Sequence, residues 1–267
     1  MDIQSLIGLT HYKNKDGILV IEAPTAQKAN EITSEILEKY CDFKTALFLS
    51  GGSTPKKLYE QFAKTKTLKA GLLGMIDERY GKKDHKNSNE LMIAKTGLIE
   101  YFENQNIRFY PILVNDQSLE NTSMQYDEAL RFIFKYFPKS VGILGIGADG
   151  HTAGIPARSQ KSKVKSQNST EIVKRMIEDQ SSLVSFYELE GYGPRITMTF
   201  LALSQLDLII LLVLGQEKRE ALKQMFDGAR LDSPESSARR EIEEVPARFY
   251  LKPEIAAKTI LITDQIV

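Results

Sequence analysis

Four short stretches of this chain concentrate side chains able to do chemistry. Gly51-Gly52-Ser53-Thr54-Pro55 follows an apolar run and precedes a segment of helical period. Glycines let backbone N–H groups approach a ligand, hydroxyls add donors, and a helix N-terminus favours negative charge, so a phosphate fits there. A tight turn with an ordinary cap would use the same residues. It is not a Walker loop, because the glycine spacing and the Lys-Ser/Thr pair are absent. The second stretch, Gly145-Ile146-Gly147-Ala148-Asp149-Gly150-His151-Thr152, ends a buried run in a glycine-rich turn carrying an acid and a histidine. Gly145, Gly147 and Gly150 formally match a dinucleotide fingerprint. Asp149 would repel a pyrophosphate there, however, and no strand ending in an acid follows about 20 residues later. What remains is either a general base, His151, presented at a strand end, or a solvent-facing histidine that caps a helix.

The third stretch, Asp77-Glu78-Arg79-Tyr80, has His85, Asn87, Ser88 and Asn89 just beyond it. Three adjacent charges after an apolar strand are either functional or an ordinary solvated loop. The fourth runs from Gly193-Pro194-Arg195 through the apolar Leu208 to Leu214 and on to Gly215-Gln216-Glu217-Lys218. Arg195 offers a planar fork suited to phosphate oxygens and Lys218 a point charge. Taken singly, each reads equally well as a surface residue, Lys218 being one of 35 basic side chains.

Such groups need a scaffold to bring them together. Apolar runs of strand length recur at Ala46 to Leu49, Leu72 to Ile76, Val141 to Ile146, Leu208 to Leu214 and Thr259 to Thr263, separated by segments of helical period. Runs that are apolar throughout indicate strands covered on both faces. Helical stripes cover Ala23 to Tyr40, Asn87 to Phe102 and Met124 to Phe137, and Thr54 with Pro55 predicts an N-cap and first helical position. Asn14-Lys15-Asp16-Gly17 before Ile18 predicts a hairpin. The expected fold is therefore α/β: a three-layer α/β/α sandwich around a mainly parallel, Rossmann-like sheet, with an N-terminal hairpin, in one domain over 1–267. Carboxyl ends of parallel strands share one edge, so the polar stretches are expected to converge there.

Composition narrows the partners. The chain has 267 residues with Lys+Arg 35 against Asp+Glu 35, so nothing in its overall charge favours nucleic acid or an acidic membrane. Surface scaling gives roughly 12,000 Å² exposed when folded against roughly 44,000 Å² unfolded, enough burial for a full core. A lone Cys41 and three histidines predict no disulfide and no metal centre. No leader-like segment opens the chain, and the longest apolar run is too short to span a bilayer, so a cytoplasmic protein without a membrane partner is expected. Ala157 to Thr170, with Arg158, Lys161, Lys163 and Lys165 and no acid, reads as a loop, either solvated or gathering and covering an anionic substrate.

In their order along the chain these stretches resemble the 6-phosphogluconolactonase family, within the glucosamine-6-phosphate deaminase/isomerase-like superfamily. The resemblance runs from about Ala46 to Ala221 and is carried by Leu49 to Pro55 with Leu58-Tyr59, Asp77 to Tyr80 with His85 and Ser88-Asn89, Gly145 to Ala153, Pro194 to Thr199, and Gly215 with Lys218. It implies hydrolysis of 6-phospho-D-glucono-1,5-lactone to 6-phosphogluconate in the oxidative pentose phosphate pathway, without cofactor or metal and with the phosphorylated lactone as partner. It further implies that Gly51, Gly52, Ser53, Thr54, Arg195 and Lys218 hold the phosphate and that Arg79 adds positive charge near the substrate. For a lactone, His151 is the chain's best base to activate water, with Asp149 or Asp77 orienting its ring. Deaminases of the superfamily follow the histidine turn with a glutamate-bearing segment, whereas Thr152-Ala153-Gly154-Ile155-Pro156 has none, and Asp77-Glu78-Arg79 is lactonase-like. The segment Gly154-Ile155-Pro156-Ala157 and the absence of tryptophan from the last strand depart from the lactonase pattern. An amino-sugar phosphate isomerase/deaminase and a non-catalytic sugar-phosphate sensor are the alternatives.

Overall fold

The structure, a computed structural model, describes residues 3–8, 11–157, 175–190, 193–227 and 241–267. The basic residues Arg158, Lys161, Lys163 and Lys165, read above as part of a loop, lie outside the described residues. After a short helix α1 (Ile3–Ile7), strands β1 (Lys13–Lys15) and β2 (Ile18–Glu22) pair antiparallel. The two residues between them, Asp16 and Gly17, have φ of 50° and 85°. Positive φ at both central positions is the turn that matches strand twist, as the Asp-Gly pair predicts.

The remaining strands of the main sheet are β3 (Thr45–Leu49), β4 (Leu72–Met75), β6 (Arg108–Phe109), β7 (Lys139–Leu144), β10 (Leu208–Val213) and β11 (Thr259–Thr263). Eight strands stand in the order β1-β2-β11-β10-β7-β3-β4-β6, every pair but the first being parallel. β3, β10 and β11 are buried along their whole length, so each Leu, Ile or Val there contributes about 1.5–3 kcal/mol by leaving water. Helices α2 (Ala26–Tyr40), α3 (Ser53–Thr65) and α6 (Leu119–Tyr136) flank the sheet and turn apolar stripes inward, Ala29, Ile32, Ile36 and Leu37 from α2 among them. From β3 the chain proceeds outward to β4 and β6, then returns to β7 on the other side of β3 and proceeds to β10 and β11. The order therefore reverses between β3 and β7, and open α/β sheets bind ligands outside the strand ends at such a point.

Three local features depart from the sequence expectations. The stripe over Asn87 to Phe102 is two helices, α4 (Asn89–Ala94) and α5 (Leu98–Glu103), because Gly97 enters the left-handed region at φ 82°. α6 begins at Leu119, capped by Ser118, earlier than the apolar stripe from Met124 indicates. α3 is capped by Gly52, not Thr54: Gly52 at φ 107° admits the chain, Ser53 is the first helical residue, and no side chain caps this end.

A second, three-stranded antiparallel sheet was not expected. Its strands β5 (Asp77–Arg79), β8 (Val184–Leu189) and β9 (Gly193–Met198) lie in the order β5-β9-β8. Only Ile76 separates β4 from β5. Its N–H donates to Leu49 O of the large sheet at 2.9 Å and its carbonyl accepts from Met198 N of the small one at 2.9 Å. Asp77-Glu78-Arg79 is thus a strand that leaves one sheet for the other, not a solvated loop.

Candidate active site

An open cleft of about 510 Å³ lies over the ends of β3 and β7. Every residue singled out for the site lines it: Gly51, Gly52, Ser53 and Thr54 after β3, Asp77 and Arg79 on β5, Asp149 and His151 after β7, Arg195 on β9, and Lys218 after β10. Asn89, Gly154, Pro156 and Tyr187 line it as well.

At one end, the chain leaving β7 folds back on itself. Gly147 N donates to His151 O at 2.8 Å, Gly150 N to Gly147 O at 2.9 Å, and Thr152 Oγ1 to Gly145 O at 2.9 Å. Gly150 takes φ 83° in this turn, a conformation that strains other residues. His151 Nδ1 lies 2.5 Å from Asp149 Oδ1, which also accepts from the His151 backbone N–H at 3.2 Å. Burial alone would push the Asp149 carboxyl up, but the hydrogen bond and charge of His151 hold it down at about 2. The imidazole lies against Gly147, where any Cβ would fall 2.0 Å from its Cε1. With Nδ1 engaged, Nε2 is the ring atom left to exchange a proton in the cleft. Asp77 makes a different contact: its Oδ2 accepts from Asn89 Nδ2 at 3.3 Å.

At the other end, the first turn of α3 presents backbone N–H groups that no side chain caps. The buried Tyr59, one turn further along α3, donates its hydroxyl to Ser50 O at 3.0 Å and fixes the start of this loop. Gly51 gives Asn89 its room, since a Cβ would fall 1.8 Å from Asn89 Oδ1. Lys218 closes a 3₁₀ turn after β10 whose first glycine, Gly215, donates its N–H to Asp264 Oδ1 at 2.9 Å.

The small sheet supplies the facing wall through its register. Arg79 on β5 stands opposite Arg195 on β9, which stands opposite Tyr187 on β8; Asp77 stands opposite Thr197 in the adjacent row. Directly opposed residues share a face, and like charges so placed repel unless an anion joins them. Arg79 Nη1 donates to Asn89 Oδ1 and, at 3.3 Å, to Asn87 O. Among the described residues no hydrogen bond or ion pair engages the charged heads of Arg195 and Lys218. Glu78, between Asp77 and Arg79, points to the opposite face and is fully buried. Its carboxylate accepts from Arg79 N, Ser88 Oγ, Asn89 N and Glu90 N at 2.6 to 2.9 Å, fastening β5 to the start of α4. Burial nonetheless pushes this carboxyl above the usual range.

Sequence reasoning missed Tyr187, which sits on a six-residue strand whose mixed polar and apolar residues form no continuous apolar run to mark it. Asn89 was visible only as part of a motif. Its signal was the bare glycine at position 51, whose missing side chain it replaces. Among the described residues no group of His, Cys, Asp and Glu is arranged to hold a metal ion, and no helix is long and apolar enough to cross a membrane.

Known proteins share this architecture. The family model described as glucosamine-6-phosphate isomerases/6-phosphogluconolactonase matches residues 22–248. A 6-phosphogluconolactonase of Nostoc sp. is 33% identical over 187 residues, covering 67% of this chain and 70% of its own. One of Synechocystis sp. is 26% identical over 254 residues, covering 92% of each chain. The solved 6-phosphogluconolactonase from Plasmodium vivax superposes with a TM-score of 0.73 at 21% identity, over 100% of this chain and 97% of that one. A monomeric glucosamine-6-phosphate deaminase does so with 0.64 at 18%, over 92% and 97%. At these identities the two structures establish the common fold.

Proposed function

This chain belongs to the glucosamine-6-phosphate isomerase/6-phosphogluconolactonase family, and from that premise we propose that it hydrolyses 6-phospho-D-glucono-1,5-lactone to 6-phosphogluconate, the lactone-opening step of the oxidative pentose phosphate pathway. One observation carries the reading. A histidine–carboxylate pair and a set of unneutralised cations with helix N-terminal amides occupy a single cleft. That combination suits a substrate with an ester carbon at one end and a phosphate at the other.

In the proposed reaction the phosphate lies on the amides and hydroxyls of Gly51 to Thr54, between Arg195 and Lys218. His151 Nε2 takes a proton from water as its oxygen bonds to C1 of the lactone. Asp149, acting on Nδ1, fixes the tautomer and stabilises the imidazolium that results. Arg79 faces the negative charge that develops on the former carbonyl oxygen. The intermediate collapses with cleavage of the bond from C1 to the ring oxygen, and the imidazolium returns its proton to that oxygen. Binding through the distal phosphate holds the reacting carbon against the base, an effect able to supply several kcal/mol of barrier reduction. Asp77, held by Asn89 and lying close against Gly154, lines the floor of the cleft. The atypical Gly154 and Pro156 belong to that same floor.

The test is a stopped assay with freshly generated 6-phosphogluconolactone, corrected for spontaneous hydrolysis and run beside glucosamine 6-phosphate. Acceleration of acid release from the lactone is expected, with no ammonia from the amino sugar. Ammonia release would assign the deaminase branch, and binding of the lactone without turnover would assign a sensor.

A further inference from the structure

We infer that Tyr187 is a positioning residue that sets the separation between the phosphate end and the histidine end of the cleft. It belongs to the small sheet, directly opposite Arg195, and is almost wholly buried at 4% exposure. Its hydroxyl donates to Gly154 O at 2.5 Å. That carbonyl lies two residues beyond Thr152, in the turn that continues from His151. Tyr187 therefore joins the arginine row, through its place in the strand register, to the catalytic turn, through its hydroxyl.

The turn needs such a brace. Ala153 and Gly154 have φ of 49° and 67°, and left-handed backbone is unfavourable at a residue with a Cβ such as Ala153. The segment is joined to itself by isolated bridges, Ile146 with Thr152 and Thr152 with Ile155, and not by a continuous ladder. The small sheet holds it from outside through two hydroxyls, that of Tyr187 on Gly154 O and that of Thr197 on Ala153 O. Thr197 is opposite Asp77, so both braces start from strand positions whose neighbours line the cleft. A shift of about 1 Å between a base and a held substrate can cost on the order of a hundredfold in rate, which makes this spacing worth a dedicated contact.

The inference rests on the lactonase reading above. Tyr187→Phe removes one oxygen and keeps the buried ring. The expected result is a fall of about tenfold in kcat on 6-phosphogluconolactone with KM changed by less than about twofold. On unphosphorylated glucono-1,5-lactone, which has no phosphate for Arg195 to grip, the loss should be several-fold smaller. In an Arg195→Ala background the Tyr187→Phe loss on the phosphorylated substrate should shrink to that smaller value, because the grip it serves is gone. Equal losses on the two lactones, or full additivity with Arg195→Ala, would show that the hydroxyl merely keeps the turn folded. Wild-type activity on Tyr187→Phe would equally overturn the inference. A wild-type protein that opens neither lactone defeats the lactonase reading itself, a result separable from any behaviour of the variant.

Discussion

The two walls of the cleft are built from different material. Along the parallel sheet the wall is mostly main chain: the uncapped first turn of α3, the glycine turn from Gly145 to Gly150, and the bend at Gly215. Its one base, His151, is placed by hydrogen bonds of its own backbone. The antiparallel sheet instead makes its wall from side chains on alternate strand positions, Asp77 and Arg79, then Arg195 and Tyr187. Glu78 alternates to the far face as a buried carboxylate fed by four donors. Turn geometry fixes the first wall without burying charge, whereas the second achieves the same accuracy only by burying it. The first should therefore fail through lost chemistry, the second through lost affinity or through the pH dependence of stability.

The largest effect belongs to the main-chain wall. His151→Ala is expected to keep the fold and to lower kcat by about 10² or more, the loss typical of a general base. If turnover survives, the base lies on the opposite wall, where Asp77 is the remaining candidate, and the division of labour collapses. Next comes Arg195→Ala on the side-chain wall. It should raise KM for 6-phosphogluconolactone by about tenfold or more, through loss of a charge-assisted contact, and change kcat less. An equal loss on an unphosphorylated lactone would remove Arg195 from the phosphate site.

The same contrast explains which parts of the molecule can be read from the chain alone. A strand that runs into a glycine turn is a local signal, so the apolar runs ending at Leu49 and Ile146 identify the β3 and β7 ends and the residues after them. Thr259 to Thr263 matches β11 residue for residue. Local signals also mislead where backbone conformation decides. Thr54 before Pro55 is a strong capping pair, yet Gly52 at φ 107° starts α3 earlier and leaves Thr54 inside the first turn. Apolar residues are dense on both sides of Gly97, so the two helices read as one stripe and only the glycine marks the break there. The small sheet is invisible for a third reason. Its strands come from 77–79, 184–189 and 193–198, and a strand as short as Asp77–Arg79 is too brief to show a period. Pairing across more than 100 residues brings Arg79 against Arg195, and no local pattern encodes it.

The smallest effect, and the sharpest separation of the walls, lies in stability against pH. Glu90, beside Glu78 at the start of α4, is 5% exposed, and its Oε2 has no hydrogen-bond partner. Burial pushes its carboxyl up to about 7; Glu78 and Asp84 push the same way, while Lys83, with Nζ 3.6 Å from Oε1, opposes them. Unfolded, this group loses its proton near 4.5. Between that value and about 7 the folded protein binds more protons than the unfolded chain, so stability falls as pH rises and the full cost is present above about 7. Glu90→Gln should therefore raise Tm by a few degrees, about 2–6 °C, at pH 8 and leave it unchanged near pH 4.5. Asp149, on the main-chain wall, has the opposite sign. Its carboxyl is held at about 2 against an ordinary 3.8, so its contribution is present above about pH 4 and disappears as pH falls toward 2. Asp149→Asn should lower Tm across the neutral range, with the deficit closing only in strong acid. Thermal melts of both variants from pH 3 to 8 would show curves that converge with wild type on the acid side from opposite directions. A pH-independent gain for Glu90→Gln, or a loss at pH 8, would mean that the ion pair with Lys83 outweighs burial, and the small sheet would then be anchored without the electrostatic cost assigned to it.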